Sequence, residues 1–325
     1  MNQTLEQATE RNDYIPISAS MLSPSRLCEV ALYVCDGADD HYRLFRTPNI
    51  PITTEWMLKL EETGRRKLYI SSLDHQNFQQ YLRDNLQDVL ADESVGVSDR
   101  FGSLNEVVRV VLGEVFSKGN VDATVTAVDE LGHHMVDMIC REDAVASELC
   151  GVMYHDYHTF THSANVSYYC VMLAKEVGIS SEEDLRQIAK GALLHDLGKL
   201  QIPNAILTKP GKLTDEEFSI VKMHPTTGFR KLCRRQDLSA AQLMMVYQHH
   251  ERLDGSGYPV RIGGAEIHFW AKICAVTDVF EALTSNRPYR AGMSMAAAFE
   301  IMDRQSGKGL DEEVYRLWKA LMQKR

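Results

Sequence analysis

From residue 104 onward, apolar residues return every three or four positions with almost no interruption, which is the periodicity of amphipathic helices. Residues 104–117 and 121–140 are two long segments of this kind. Two later helices have recognisable starts, because residues 180–183 (SSEE) and 214–217 (TDEE) read as capping boxes ahead of apolar-periodic runs. The sequence therefore predicts an all-α domain over the C-terminal two thirds of the chain.

The first 90 residues follow a different pattern. Residues 26–34 (RLCEVALYV) and 42–46 (YRLFR) are rich in strand formers and flank the turn-forming run DGADD. The further elements that we predict are a helix over 53–62, a strand over 67–70 and a helix over 74–90. Together they predict a small α/β domain behind a polar tail at residues 1–13.

The polar, glycine-containing stretch at residues 91–103 (ADESVGVSDRFGS) predicts the boundary between the two parts. No cluster of nucleophile, base and metal ligands precedes it, so we expect a regulatory or interaction role for that part. We divide the chain into a small α/β domain over 1–92, a linker and connecting helix over 93–125, and a helical domain over 126–325.

Composition excludes several classes of protein. The 325 residues carry 35 Lys+Arg against 45 Asp+Glu, so the net charge is −10, and no long basic run points to a nucleic-acid polymer as partner. No stretch approaches the roughly 18 apolar residues of a membrane-spanning helix. The first ten residues, MNQTLEQATE, lack the features of a signal peptide, and seven scattered cysteines fit reduced thiols. We therefore expect a cytoplasmic protein with no membrane partner.

Seven of the 12 histidines fall between residues 155 and 250, inside the predicted helical domain. Each histidine alone also fits a hydrogen-bonded core role, but several imidazoles and carboxylates among Ala, Leu and Val are costly to bury unless a cation compensates. Imidazole and carboxylate suit divalent Fe, Mn, Zn or Ni. The candidate ligands are His162, His195, Asp196, His224, His249, His250 and Asp278. Seven side chains exceed one tetrahedral site, so we predict two metals bridged by Asp196.

In this region the sequence resembles the HD-GYP domains, a branch of the HD-domain metal hydrolases that degrades cyclic dinucleotides. The resemblance extends from His162 to about Gly309, and the residues before 90 are only loosely similar to the small N-terminal domains of some members. HD alone is a weak signal, whereas HHExxDGxGYP combined with HDxGK and RPY in this order is specific. The matching segments are THSANVSYYCVMLA, GALLHDLGKLQIPNAILTKPGKLTDEE, MHPTTG, QHHERLDGSGYP and VTDVFEALTSNRPYR.

The resemblance implies a mainly α protein, with an all-helical HD-GYP domain preceded by a small α/β N-terminal domain. It assigns the family's metal ligands to the seven candidate residues and makes Asp196 a catalytic residue as well. Lys199, after the HD pair, would contact the phosphate that is cleaved and offset its charge. Arg287 and Arg290 in SNRPYR would hold the substrate's phosphate or guanine, since a guanidinium binds phosphate in bidentate fashion.

One position departs from the family pattern. Some members carry a glutamate one helical turn before the first ligand histidine and use it for a third metal, whereas this chain has His158. His158 shares a helix face with His155 and His162, but imidazole does not bridge metals as carboxylate does. We therefore expect two metals and leave a third at His158 open. The resemblance implies iron first and manganese next, whereas histidine-rich ligation alone also admits zinc or nickel.

The function that the resemblance implies is metal-dependent hydrolysis of a cyclic dinucleotide in second-messenger signalling. The substrate expected first is cyclic di-GMP, cut to pGpG and, by a second cut, to GMP. A GGDEF-domain cyclase or a second copy of the chain are the protein partners that it suggests. Two alternatives stay open: an HD hydrolase of another nucleotide, such as ppGpp or a dNTP, and a non-catalytic module that binds metal or cyclic dinucleotide.

Overall fold

The computed structural model describes most of the chain from residue 14 onward. The described residues are 14–19, 22, 29–35, 41–48, 50–53, 55, 56, 60, 67–93, 95–141, 159–286 and 290–324. They belong to two compact units, Met1–Val107 and Val108–Arg325.

The first unit contains a four-stranded antiparallel sheet with the strand order β1-β4-β2-β3. Its strands are β1 (Tyr14–Ser18), β2 (Leu32–Cys35), β3 (Tyr42–Arg46) and β4 (Lys67–Ser71). Side chains alternate between the two faces of each strand. One face is therefore the buried, aliphatic face, with Leu32 and Val34 from β2 and Leu68 and Ile70 from β4.

The other face of this sheet carries a cluster of tyrosines. Tyr33 and Tyr69 are cross-strand partners. The ring of Tyr14 stacks on that of Tyr42 with centroids 4.1 Å apart, and edge-to-face contacts at 4.8 and 4.9 Å join these rings to Tyr33 and Tyr69. Tyr14 and Tyr42 come from the two edge strands, so their rings meet over the two central strands.

The observed elements of this unit include one that the sequence reading missed. Strand β1 lies within 14–18, where no element was predicted, and it contains Pro16. A proline is tolerated there because β1 is an edge strand. Helix α1 (His75–Ala91) agrees with the predicted helix over 74–90. The helix predicted over 53–62 falls largely outside the described residues.

Helix α2 (Val97–Lys118) begins before the predicted start at residue 104. Phe101 and Leu104 are both fully buried, so the apolar repeat already starts inside the polar stretch that we read as a boundary. Gly102 lies within this helix, where a glycine costs about 1 kcal/mol relative to alanine and does not stop it.

The second unit is built from helices. After α2 they are α3 (Val121–Arg141), α4 (Thr159–Glu176), α5 (Glu182–Leu194), α6 (Asn204–Leu207), α7 (Asp215–Val221), α8 (His224–Leu232), α9 (Ala240–Gln248), α10 (Phe269–Thr284), α11 (Met295–Asp303) and α12 (Glu312–Gln323). A short 3-10 turn, Leu197–Gln201, follows α5. Helix α4 packs on α5 and α10, and α9 packs on α5, α8 and α10.

Both of the helix starts predicted from capping boxes have a side-chain N-cap, but only one of them is a reciprocal box. Thr214 and Glu217 form a reciprocal capping box at the start of α7, as predicted. At α5 the N-cap is Ser181, whose hydroxyl accepts the N–H of Asp184, so the cap is present but it is not a reciprocal box. Both caps satisfy N–H groups that a helix leaves unpaired at its first turn.

The aromatic core of the second unit lies under α4, α10 and α12. The fully buried ring of Trp318 contacts Tyr169 at 5.2 Å and Phe280 at 5.1 Å between centroids. Within the part of the chain that the structure describes, no helix is both long and apolar enough to cross a membrane. The mainly α fold with a small α/β N-terminal part is confirmed.

Candidate metal centre

The seven candidate ligands come together at one end of the α4–α5–α9–α10 bundle. Helix α4 carries His162, α10 carries Asp278, and α8 begins with His224. The two adjacent pairs follow the ends of helices, His195-Asp196 after α5 and His249-His250 after α9. Six of the seven are buried, and the side chain of His250 is 24% exposed.

Asp196 belongs to two groups of potential ligand atoms. One group is His162, His195 and Asp196, and the other is Asp196, His224, His249 and His250; within each, the ligand atoms lie within 4.8 Å of one another. The Oδ2 of Asp196 is 3.3 Å from Nε2 of His162, and its Oδ1 is 3.2 Å from Nε2 of His224. The two oxygens of one carboxylate thus face the two groups.

Backbone carbonyls fix the orientation of three histidine rings. The Nδ1 atoms of His195, His224 and His249 lie 2.6, 2.8 and 3.0 Å from the carbonyl oxygen three residues earlier in the chain. A carbonyl only accepts, so each Nδ1 must donate its hydrogen, and the Nε2 of each neutral ring carries a lone pair. This is the arrangement by which proteins orient histidine ligands towards a metal.

The Nε2 atoms approach one another too closely for lone pairs alone. They are 3.1 Å apart between His224 and His249, two of the rings whose Nδ1 donates to a carbonyl. The buried Oδ1 of Asp196 has no hydrogen-bond partner among the residues that the structure describes. A cation between these acceptors would remove the repulsion and satisfy the oxygen, so the residues present fit a pair of metal ions.

The protonation states also suit metal binding. Burial, and then the nearby His250 and His195, lower the pKa of His249 well below its usual range. Burial lowers the pKa of His250 to about 3. Burial alone would raise the pKa of Asp196, but Lys199 and then His195 outweigh it and hold that pKa well below its usual range. Neutral imidazoles beside an ionised carboxylate are the forms that bind metals.

Asp278 lies within reach of one histidine from each of the two groups. Its Oδ1 is 3.1 Å from Nε2 of His162, and its Oδ2 is 3.7 Å from Nδ1 of His250. Burial would raise its pKa, but the hydrogen bond and charge of His162 prevail and keep it ionised. A second carboxylate therefore spans the cluster.

The structure adds Glu281, which the sequence analysis did not single out. Its Oε2 accepts a hydrogen bond from Nδ1 of His162, and its Oε1 accepts hydrogen bonds from Nδ2 of Asn165 at 3.3 Å and Oγ of Ser285 at 2.6 Å. Burial acts to lower the pKa of His162, and Glu281, followed by Asp196, raises it well above the usual value. Glu281 lies three residues after Asp278, and this helical spacing could have indicated it.

The proposed substrate residues are only partly described. Lys199 lies beside the cluster, where its ammonium forms an ion pair with Oδ2 of Asp196. The guanidinium of Arg290 donates to the carbonyl oxygens of Ala282 and Leu283, at the C-terminal end of α10. Arg290 thus satisfies carbonyl groups in the last turn of α10, as basic side chains at helix ends commonly do. His158 and Arg287 lie outside the described residues.

The loop after the paired histidines is held by Glu251. Its buried carboxylate accepts the backbone N–H groups of Val260 at 2.6 Å and Arg261 at 3.1 Å, so it fixes the loop and not a ligand ring. The ring of Tyr258 lies 4.7 Å from that of His250. A β-carbon on Gly257 would come within 2.6 Å of the carbonyl oxygen of His250, so only glycine fits there.

Two cavities open beside the cluster. The first has a volume of about 560 Å³ and is lined by His249, His250 and Tyr258 among others. The second has a volume of about 500 Å³ and is lined by Lys199 and Leu207 among others. Both volumes lie in the range of small-molecule sites.

Comparison with solved structures supports the fold. An HDG"Y"P protein from Bdellovibrio bacteriovorus aligns with a TM-score of 0.68 over 96% of this chain and 100% of its own, at 19% sequence identity.

Several curated proteins are similar to about half of this chain. A cyclic di-GMP phosphodiesterase of Pseudomonas aeruginosa is 39% identical over 161 residues, which are 50% of this chain and 38% of that protein. A cyclic di-GMP phosphodiesterase of Thermotoga maritima is 41% identical over 162 residues, 50% of this chain and 44% of its own. A 3'3'-cGAMP-specific phosphodiesterase of Vibrio cholerae is 40% identical over 168 residues, which are 48% of this chain and 36% of that protein.

The matched region covers less than half of each of these relatives. The family model for the HD domain matches residues 152–314, a range that includes all seven candidate ligands. With the HHERLDGSGYP segment beside the HD pair, the chain belongs to the HD domain family and is an HD-GYP domain protein.

Proposed function

We propose that this chain is a metal-dependent phosphodiesterase that hydrolyses a cyclic dinucleotide in second-messenger signalling. The observation that carries the proposal is the shared carboxylate of Asp196, with one oxygen facing each of two histidine groups. Two adjacent cation sites are the arrangement by which many enzymes hold a phosphodiester for in-line displacement. The names of the curated relatives agree with this reaction class.

The metal ligands in this proposal are the seven residues of the cluster. Asp196 would contribute to both sites, with His162 and His195 in one group and His224 and His249 in the other. His250 and Asp278 complete the set. Iron is the first metal to test and manganese the second, and a third ion near His158 is part of the same test.

The divalent ions would supply Lewis acidity towards the phosphate and lower the pKa of a water. Asp196 would orient the centre through both of its oxygens. Lys199, whose ammonium reaches Oδ2 of Asp196, would contact a phosphate oxygen and offset the charge that develops there during cleavage. Arg287 and Arg290 stay proposals for binding phosphate or guanine.

The substrate that we place first is cyclic di-GMP, with pGpG as the first product and GMP after a second cut. The 3'3'-linked cyclic GMP-AMP is the competing substrate, since relatives of both kinds are similar to this chain. We place the reaction in the cytoplasm and propose a GGDEF-domain cyclase or a second copy of the chain as partner.

The test combines metal analysis with turnover on protein purified anaerobically and on protein reloaded with iron or manganese. We expect about two transition-metal ions per chain, the number of sites that such two-metal enzymes use, and release of pGpG or GMP. If the protein holds two ions and binds cyclic di-GMP tightly but does not hydrolyse it, the protein is a receptor and not an enzyme. The absence of metal under every loading would refute the ligand assignment.

Asp196→Asn is the informative variant because it keeps the volume of the side chain and removes its charge. We expect this variant to lose metal occupancy and turnover together. Asp303→Asn is the matched control, since Asp303 lies at the surface in an ion pair with Lys319. Turnover at the level of the unmodified protein in Asp196→Asn would contradict the mechanism.

A further inference from the structure

Phe218 lies between the two cavities that adjoin the candidate metal centre. It is the residue that lines both of them among the residues described. It belongs to α7, whose start is fixed by the capping box, and it is 45% exposed although it is large and apolar. An exposed aromatic side chain at the mouth of a polar site points to a planar ligand group.

The surroundings of Phe218 suit a negatively charged ligand with aromatic groups. The Nζ of Lys222 lies 4.9 Å from the centre of its ring, and the ring of Tyr258 lies 6.5 Å away at a near-perpendicular angle. Lys222 and Arg252 line the first cavity, and Lys199 and Lys212 line the second. Each cavity thus combines cationic groups with an aromatic wall.

The two cavities border the cluster from different sides. The first reaches the candidate ligands through His249 and His250, and the second is lined by Lys199, whose ammonium pairs with Asp196. Their volumes, about 560 and 500 Å³, are nearly equal. A ligand seated over the cluster could therefore place one group in each cavity.

A cyclic dinucleotide has this shape, because two planar bases project from a compact ring that carries two phosphates. We propose that Phe218 is a specificity-determining residue that separates the two bases, one in each cavity, and stacks against at least one of them. This inference rests on the proposed function, and it adds a recognition element on α7 that does not touch the metals.

The test is steady-state hydrolysis of cyclic di-GMP by Phe218→Ala, Phe218→Tyr and the unmodified protein, with metal content measured in each preparation. Loss of one stacked base should raise KM roughly tenfold in Phe218→Ala. We expect kcat to be retained, because stacking far from the scissile bond stabilises bound substrate and transition state alike. Phe218→Tyr keeps a ring of similar size and should restore KM.

Ile220→Ala is the matched control. Ile220 lies on the same helix and is similarly exposed, but it does not line either cavity. We expect its KM to equal that of the unmodified protein.

The possible outcomes separate this inference from the proposed function. Unchanged KM in Phe218→Ala, or loss of metal in that variant, would overturn the role of Phe218 while an active unmodified protein keeps the proposed function. An equal rise of KM in Ile220→Ala would also overturn it. If the unmodified, metal-loaded protein neither binds nor hydrolyses cyclic di-GMP, the proposed function fails and the role of Phe218 fails with it.

Discussion

The chemistry of the centre depends on which nitrogen of each histidine is left with a lone pair. Three rings are oriented by the carbonyl oxygen three residues earlier in the chain, whereas His162 is oriented by the carboxylate of Glu281. A carboxylate makes its partner ring a stronger donor to a cation than a carbonyl does. His162 is therefore the ring whose ligand strength depends on another side chain.

We expect Glu281→Gln to weaken metal binding by roughly 10- to 100-fold, the usual effect of removing a carboxylate behind a histidine ligand. The glutamine can still accept from Nδ1 of His162, so the change removes charge with little change in shape. Competition with a chelator of known affinity measures the effect. Glu300→Gln, on the exposed face of α11, is the control, and equal metal affinity in both variants would contradict the role of Glu281.

Sequence reading identified the candidate ligands as residue types in specific motifs, and the structure brings all seven together. It did not identify Glu281: the spacing from Asp278 places this residue on the same helix face, but its partner His162 lies on another helix, which local spacing does not reveal. The position of Arg290 likewise depends on the end of α10, which sequence periodicity does not fix to the residue.

Among the elements, the loop from Gly255 to Pro259 is tightly constrained beside the paired histidines. Gly257 lies against the backbone of His250, Glu251 and Arg252, with no space for a β-carbon. The loop backbone beyond it is held by the carboxylate of Glu251. Any shift of this loop moves the residues next to His249 and His250.

Gly257→Ala should destabilise the protein by about 1–3 kcal/mol, because the added methyl group must push backbone atoms apart. Gly263→Ala, in the same connection between α9 and α10, is the matched control, since nothing lies within 4 Å of its added carbon. Thermal unfolding of the two variants measures the difference. Equal midpoints would show that the loop relaxes around the methyl group without cost.

Sequence patterns did not predict the exact start of every helix and strand. Helix α2 starts at Val97 because buried Phe101 extends the apolar face into a polar stretch, and burial is a tertiary property. Strand β1 was missed because a short strand with Pro16 resembles a loop until its partner β4 is known. The capping box of α7, by contrast, is a local interaction and was predicted correctly.

At the scale of the whole molecule, the buried histidines make the stability of the metal-free protein depend on pH. Burial is the first cause that lowers the pKa values of His195, His249 and His250 below the ordinary value. The unfolded chain binds protons on these rings below about pH 6.5, and the folded chain does not. Their contribution to stability is therefore present above that pH and lost as the pH falls.

We expect the free energy of unfolding of metal-free protein to decrease between about pH 6.5 and pH 5, by up to about 1.4 kcal/mol per ring and pH unit. The raised pKa of His162 acts in the opposite direction, but its contribution is lost only above about pH 6.5. Unfolding midpoints in the presence of a chelator measure the trend. A shallower slope in His249→Gln supports it, and a flat profile in the unmodified protein contradicts it.

We propose the division into 1–92, 93–125 and 126–325 as the domain organisation of the chain. The division between the two compact units, at Val107 and Val108, lies inside the middle segment and within α2. A fragment of residues 93–325, which keeps α2 whole, should fold and hold as much metal per chain as the full-length protein. An aggregated fragment, or one without metal, would show that the first unit is needed for the second to fold.

The tyrosine cluster of the first unit has an optical consequence. Four rings from four strands lie with neighbouring centroids 4.1 to 4.9 Å apart, and Tyr33 and Tyr69 face each other across β2 and β4. Aromatic groups fixed in an asymmetric arrangement give near-ultraviolet circular dichroism that disappears when packing is lost. The first unit should therefore contribute a near-ultraviolet signal of its own, which adds to that of packed tyrosines in the second unit such as Tyr169 and is lost when the sheet unfolds.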